Sequence, residues 1–492
     1  MAEANPAIVV TFVLYLVLMM AVGAVFYRRT TNLSDYILGG RKLNYWVTSL
    51  SAQASDMSGW LLMGLPGYAY LAGLEAFWIA FGLALGTYLN WRFVARRLRT
   101  YTEISGDSIT LPDYFESRFR DSTRILRIVS SIFILVFFLV YTSSGFVAGA
   151  ILFSAIFNLP YTTGLLIGVV VIIGYTFLGG FTAVSWTDFI QGILMFFAIT
   201  IVPFIGFGLA GGPGETFEAV RLANPEFLNI FTATDGSPLG IIAIVSLLAW
   251  GLGYFGQPHI LARFMAIRSA DEVAPARKIA STWVVISLTG AVLVGLIGIA
   301  SGEVFMPADA NAEQIFIHLI DGVIPPLLAG IFLSAILAAI MSTADSQLLV
   351  TSSALTEDLY AVLLRNRASQ TELVWISRFS VIAVAIIASL IAVDPESTVL
   401  GLVSYAWGGF GATFGPIVIL SLFWRRMTRN GALAGLVAGG LTVIVWYNLS
   451  GGIFDLYEIV PGFLFSLAAI VGVSLLGNPP EAEITAEFDQ VT

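Results

Sequence analysis

Apolar residues run along this chain in thirteen long blocks, near residues 7–27, 46–72, 76–97, 125–155, 162–180, 186–211, 240–264, 279–303, 323–360, 373–393, 398–423, 429–448 and 455–477. Crossing the ~30 Å hydrocarbon core of a bilayer takes roughly 20 apolar residues as a helix but only about 10 as a barrel strand. The pattern therefore predicts an all-α polytopic membrane protein with about thirteen transmembrane helices. The first block follows an acidic start and precedes Arg28 and Arg29, the reverse of a cleavable secretory signal, so it is expected to stay as a span.

Two blocks are interrupted from within. In "SAQASDMSGWLLMGLPGYAY", residues 51–70, the carboxylate Asp56 lies among Ser51, Ser55 and Ser58, with Gly59, Gly64 and Pro66 behind it. In "WGLGYFGQPHILARF", residues 250–264, Gly251, Gly253 and Gly256 precede Pro258, whose ring and missing N–H interrupt a helix. An unpaired backbone group in lipid costs several kcal/mol, so irregular backbone at mid-depth survives only against protein or a wet cavity. The two breaks stand five spans apart, which predicts an inverted-repeat transporter with spans 2–6 as one repeat and 7–11 as the other. The glycines also suit plain close packing of helices, and Asp56 also suits a helix N-cap at the break.

A third polar cluster lies in "LSAILAAIMSTADSQLLVTSS", residues 333–353, where Ser342, Thr343, Asp345 and Ser346 occupy one stretch of an otherwise apolar helix. One hydroxyl in a helix usually bonds back to its own i−4 carbonyl, whereas four polar residues within five positions suggest a site. Oxygen ligands without His or Cys suit a hard cation, which favours Na⁺ over a transition metal.

Composition narrows the class. Of 492 residues, 58% are hydrophobic and 11% charged, and the mean hydropathy is +0.88, which places the chain in a membrane. There is no cysteine, so a disulfide framework, a thiol nucleophile and a Cys-ligated metal are all excluded. The net charge of −9 argues against nucleic acid as a partner. If the N-terminus is outside, the thirteen-span pattern puts every one of the 23 Lys and Arg residues except Arg221 on inward connections, Arg367 among them, as the positive-inside rule requires. The C-terminus is then cytoplasmic. Residues 1–477 are expected to form one membrane domain, with core repeats at about 46–211 and 240–423 and peripheral helices at 7–27, 429–448 and 455–477. Residues 478–492 are a tail too short for another domain.

Seven segments together resemble the proline branch of the sodium:solute symporter family: "DYILGGR", "SAQASDMSGW", "GLGYFGQPHILARFMA", "LSAILAAIMST", "SSALTEDLY", "LGLVSYAWGGFGATFGP" and "MTRNGALAG". The likeness covers about residues 8 to 477. It implies a 5+5 inverted-repeat (LeuT-like) core and Na⁺-coupled import of L-proline through a cell membrane, with no enzymatic activity and no obligatory protein partner. Carried over by position, it implies a sodium site of the carbonyls of Ala54, Met57 and Ala339 and the hydroxyls of Ser342 and Thr343. Asp56 matches an acid needed for sodium-dependent transport. Substrate is expected beside it, held by backbone groups around Ser58, Gly59 and Trp60 and walled by Tyr141, Trp250, Tyr254 and Pro258. Arg41 and Asp188 match positions linked to coupling or an inner gate, although Arg41 also suits a topology determinant and Asp188 a helix cap. Asp345 stands where some proline carriers have a small hydroxyl residue, and other family members place a second sodium near such an acid. A second cation site of Asp188, Asp345 and Ser346 is the resulting hypothesis.

Rival classes fit less well. A channel needs a continuous polar pore, whereas the polar residues here collect at mid-depth. A primary pump needs a nucleotide site, and no GxxxxGK[ST] occurs. A sensor kinase would append a signalling domain, which the short tail leaves no room for. The nearest rival is a symporter of the same fold for another small solute, such as a betaine, pantothenate or a sugar.

Overall fold

The computed structural model describes residues 5–27, 33–178, 180–302, 306, 311–365 and 368–491. Arg28, Arg29 and Arg367, counted above as inward charges, lie outside the described residues. Among the described residues the protein is helical, with two isolated β-bridges and no sheet.

A helical segment lies at each of the thirteen apolar blocks, yet among the described residues ten helices are long and apolar enough to cross a membrane by themselves, or eleven with one bent pair. The shortfall from thirteen has three sources. Trp60–Ile104 runs on as 45 residues although Gly73, at φ +63°, interrupts it. Tyr161–Phe177 is short of a full crossing. Ile241–Gly256 and Pro258–Ala266 make a span only when the two bent halves are taken together, and Tyr45–Asp56, twelve residues rich in hydroxyls, is only half of a span.

Both predicted breaks are present. Asn44 caps the first half-helix, its Oδ1 accepting from the N–H groups of Trp46 and Val47 at 3.0 Å each. The helix runs to Asp56 and stops because Met57 (φ −80°, ψ 69°) leaves the helical region. One wide turn, Trp60–Gly64, leads into Leu65–Ala72. The other break follows Ile241–Leu248: tight turns span Ala249–Gly256, Gln257 is extended, and Pro258–Ala266 leaves at a 45° bend. Pro258 opens that second half, where a missing N–H costs no helical bond.

Close packing and breaking coincide at this second helix. A Cβ on Gly253 would lie 1.8 Å from Trp407 Nε1, and one on Gly251 would lie 2.2 Å from the Gly82 carbonyl oxygen. The glycines of "WGLGYFG" therefore serve backbone approach as well as the break.

Pro326–Ser353 is the central helix, buried along most of its length and packed against Pro6–Tyr27, Tyr45–Asp56, Ile125–Phe157, Phe181–Leu209 and Gln370–Ile391. Val399–Phe423 closes the second break from the side, and Arg429–Trp446 with Ile459–Leu476 form an outer pair beside it.

Connections predicted to share one face of the membrane are tied together. Arg96 pairs with Asp271 at 3.0 Å, Arg99 donates to the Ile267 carbonyl at 2.6 Å, Arg97 to the Leu422 carbonyl at 2.9 Å, and Arg429 pairs with Asp121 at 2.6 Å. The tail does more than the sequence suggests. Ala482–Val491 is a helix whose Ile484 and Phe488, four residues apart, are both buried. Phe488 packs against Tyr101, and Arg425 holds Asp489 at 2.8 Å.

Candidate functional site

The first break frees a carbonyl. In an unbroken helix the N–H of Ser58 would bond Ala54 O, but it turns to Asp56 O at 2.9 Å. Ala54 O instead receives Ser342 Oγ at 2.7 Å and Thr343 Oγ1 at 3.3 Å from the central helix. Ser342 Oγ also lies 3.2 Å from Ala339 O. Ala54, Ala339, Ser342 and Thr343 thus meet in one cluster of neutral oxygens. Met57 stands at the break itself, its N–H on Gln53 O at 2.8 Å.

Asp56 adjoins this cluster and joins the two broken helices. Its Oδ2 accepts from the Tyr254 hydroxyl at 2.6 Å, while Oδ1, also buried, has no hydrogen-bond partner. As the last residue of its half-helix it does not cap the turn that follows, so the N-cap alternative is set aside. The Tyr141 hydroxyl reaches Asp56 O at 3.4 Å, and Asn90 Nδ2 supports Tyr254 through its carbonyl at 2.9 Å.

Aromatic rings surround the same place. Trp60 and Trp250 lie 6.1 Å apart between ring centres, Trp250 and Tyr457 5.8 Å, and Tyr254 meets Trp407 nearly at right angles at 5.0 Å. Trp407 Nε1 donates to Trp250 O at 2.7 Å, fixing the tight turns. Trp60 Nε1 is buried and unpartnered. Gly59 is pressed against the neighbouring helices, since a Cβ there would lie 2.8 Å from Ala148 Cβ. The Trp60 N–H is taken by Ser58 Oγ at 3.3 Å and the Ser58 carbonyl by the N–H of Leu61 at 3.1 Å, so part of this turn's backbone is already bonded. Pro258 lines a small cavity with Ile37, Thr110, Met265, Val350 and Asp358.

Asp188 belongs to a second cluster. It sits in the second turn of Phe181–Leu209, whose cap position is Gly180, so it is not the helix cap. Asp188 Oδ2 pairs with Arg263 Nη2 at 3.0 Å and accepts from Ser51 Oγ at 2.7 Å. Ser346 Oγ bonds the same guanidinium nitrogen and lies 3.3 Å from Asp345 Oδ1. Arg41 is elsewhere, bonded to Asp107 at 2.9 Å, the Met265 carbonyl at 2.7 Å and the Ser108 carbonyl at 2.8 Å. The structure therefore separates Arg41 from Asp188.

The sequence reading missed Arg263, Trp407 and Asn90 as site residues. Arg263 carried a signal, because it lies inside the predicted span 240–264, where a charge is as costly as Asp56 is in its own span. Trp407 carried none, since an aromatic in an apolar helix is ordinary.

Two broken helices, meeting through a buried acid beside a cluster of neutral oxygens, define a secondary transporter of the inverted-repeat class. The sequence profile of the sodium:solute symporter family matches residues 36–439, and the chain belongs to that family. It is 52% identical to the sodium/proline symporter of Escherichia coli K12, with 99% of this chain and 96% of that protein covered. It is also 52% identical to the high-affinity proline transporter PutP of Bacillus subtilis, over 96% of this chain and 98% of that one. The osmoregulated proline transporter OpuE of the same organism is 47% identical, over 96% and 95%. Among solved structures, a Na⁺-coupled sialic acid symporter in a substrate-bound outward-open state superposes with a TM-score of 0.81 at 21% identity, over 97% of this chain and 99% of that one. The nucleobase-cation symporter Mhp1 superposes at 0.56 with 13% identity, over 94% and 100%. The last two establish likeness of fold.

Proposed function

We propose that this chain is a Na⁺-coupled symporter that imports L-proline across a cell membrane by alternating access. The observation that carries the reading is the convergence of Ser342 and Thr343 on the Ala54 carbonyl, at the break that also carries Asp56. The curated names of relatives at about half identity over nearly the whole chain support proline as the substrate.

In this reading Na⁺ takes the oxygens of Ala54, Met57, Ala339, Ser342 and Thr343, and the two hydroxyls turn their protons away to offer lone pairs. The ion then holds the first break against the central helix. Proline sits beside it, its charged ends met by polar groups at the break around Ser58, Gly59 and Trp60, and its ring covered by Trp250, Tyr254 and Tyr141. Pro258 belongs to this reading as the residue that keeps the second helix broken. Asp56, with Oδ1 free for the ligand and Oδ2 on Tyr254, couples the two breaks. Arg41 ties the connection after Ile104 to the end of the second broken helix, a position suited to an inner gate. We place the core repeats at about 46–211 and 240–423 within one membrane domain. The N-terminus is placed outside and the C-terminus inside, on the strength of the charge pattern and of the ion pairs that join the inward connections.

Zwitterionic proline adds no net charge, so one Na⁺ makes the moving complex +1. A potential of ~100 mV then supplies about 2.3 kcal/mol, and a tenfold sodium gradient about 1.4 kcal/mol. Together these support accumulation of several-hundred-fold.

The test is uptake of labelled proline by reconstituted vesicles in sodium and in potassium buffer, challenged with unlabelled proline, betaine, pantothenate and sugars. Sodium-dependent uptake displaced by proline alone is expected. Displacement by another solute at lower concentration would reassign the substrate, and equal uptake without sodium would overturn the coupling.

A further inference from the structure

The Arg263 cluster repeats, one helical turn along, the ingredients of the sodium cluster. Ser51 lies three residues before Ala54 and Ser346 three residues after Thr343, so the same two helices again bring oxygens together. Two carboxylates are added, Asp188 from Phe181–Leu209 and Asp345 from the central helix. In place of an ion there is a guanidinium. Arg263 Nη2 binds Asp188 Oδ2 at 3.0 Å and Ser346 Oγ, Nε binds Ser51 Oγ at 3.1 Å, and Nη1 binds the His259 carbonyl at 2.9 Å. Arg263 and Asp188 are both fully buried. The acids outnumber the cation: Asp188 Oδ1 and Asp345 Oδ2 are buried without partners.

We infer that Arg263 is a tethered cation filling a second cation position, and that it holds the carrier to one Na⁺ per substrate. A guanidinium keeps its charge at every physiological pH, and it cannot leave with the substrate. A free Na⁺ bound to the same oxygens would face that fixed charge at contact distance in a site of low dielectric. Because Arg263 lies in Pro258–Ala266, its bonds to Asp188, Ser51 and Ser346 also anchor the second half of the second broken helix to the three helices that bear them.

The inference rests on the symport reading, and one set of measurements separates the two. The purified wild-type carrier is expected to bind one ²²Na⁺ per chain, and sodium activation of proline uptake to show a Hill coefficient indistinguishable from one. In Arg263→Gln the coefficient should rise toward two, and the charge moved per proline, read from reversal potentials, should double. Arg263→Lys should keep both at the wild-type value, and Arg263→Gln combined with Asp345→Asn should return them to it. Two sodium ions per wild-type chain would overturn the inference even if Arg263→Gln fails to insert. So would an inserted Arg263→Gln whose coefficient stays at one. Uptake by the wild type that ignores sodium would instead refute symport itself.

Discussion

Ser342 Oγ lies 2.7 Å from the carbonyl oxygen of Ala54, a residue 288 positions away in the chain. That contact exists because the first half-helix ends at Asp56 and leaves Ala54 O without its helical partner. If Na⁺ takes this place, Ser342→Ala and Thr343→Ala each remove one of its oxygens. A hydrogen bond or ligand contact to a charged group is worth roughly 1.5–3 kcal/mol. Each variant should therefore need about ten- to a hundred-fold more sodium for half-maximal proline uptake, with normal amounts in the membrane. Unchanged sodium titrations in both would remove these residues from the ion site.

Tyr254→Phe tests the bridge between the two breaks. It deletes the donor to Asp56 Oδ2 and leaves that oxygen buried and unpaired. Half-saturation should rise for both sodium and proline, by about tenfold or more, because the acid serves both breaks. A rise confined to proline would make Tyr254 a wall of the substrate slot alone.

Gly253→Ala probes the close approach to Trp407. The added Cβ would lie 1.8 Å from Nε1, so the tight turns or the indole must move. Overpacking of this kind costs roughly 1–3 kcal/mol. Proline uptake should fall sharply, and Trp407→Phe in the same background should restore part of it by giving back room. No rescue by the smaller ring would point to a backbone requirement at Gly253 instead.

The absence of native cysteine makes orientation directly testable. Leu222→Cys lies at an exposed position beside Arg221, and Glu481→Cys at an exposed position ahead of the tail helix. A membrane-impermeant maleimide should label the first in intact cells and the second only after permeabilisation. The opposite result would invert the topology.

The breaks and the oxygen cluster were legible because Gly, Pro, Asp and paired hydroxyls stand out against an apolar background, where each carries a physical cost. The partner of Asp188 was less legible. Arg263 fits a count of inward charges so well that its place inside a span was absorbed by the topology argument. The role of Trp407 depends on a contact across 157 residues with the Trp250 carbonyl, which no local pattern encodes. The tail helix was passed over on length, although the spacing of Ile484 and Phe488 already favours one buried face. The count of thirteen depends on where long helical runs are divided: the apolar pattern breaks at residues 73–75, whereas helical turns continue through Gly73–Ala76.

The contact of Gly251 with Gly82 has a mechanical meaning for the transport cycle. Where main chain touches main chain there are no rotamers to absorb sliding, so Phe77–Leu89 and the second broken helix are expected to travel as one rigid block. The surfaces that part to admit or release cargo must then be those lined by larger, repackable side chains, and the glycine seam marks what stays shut while the molecule turns itself inside out.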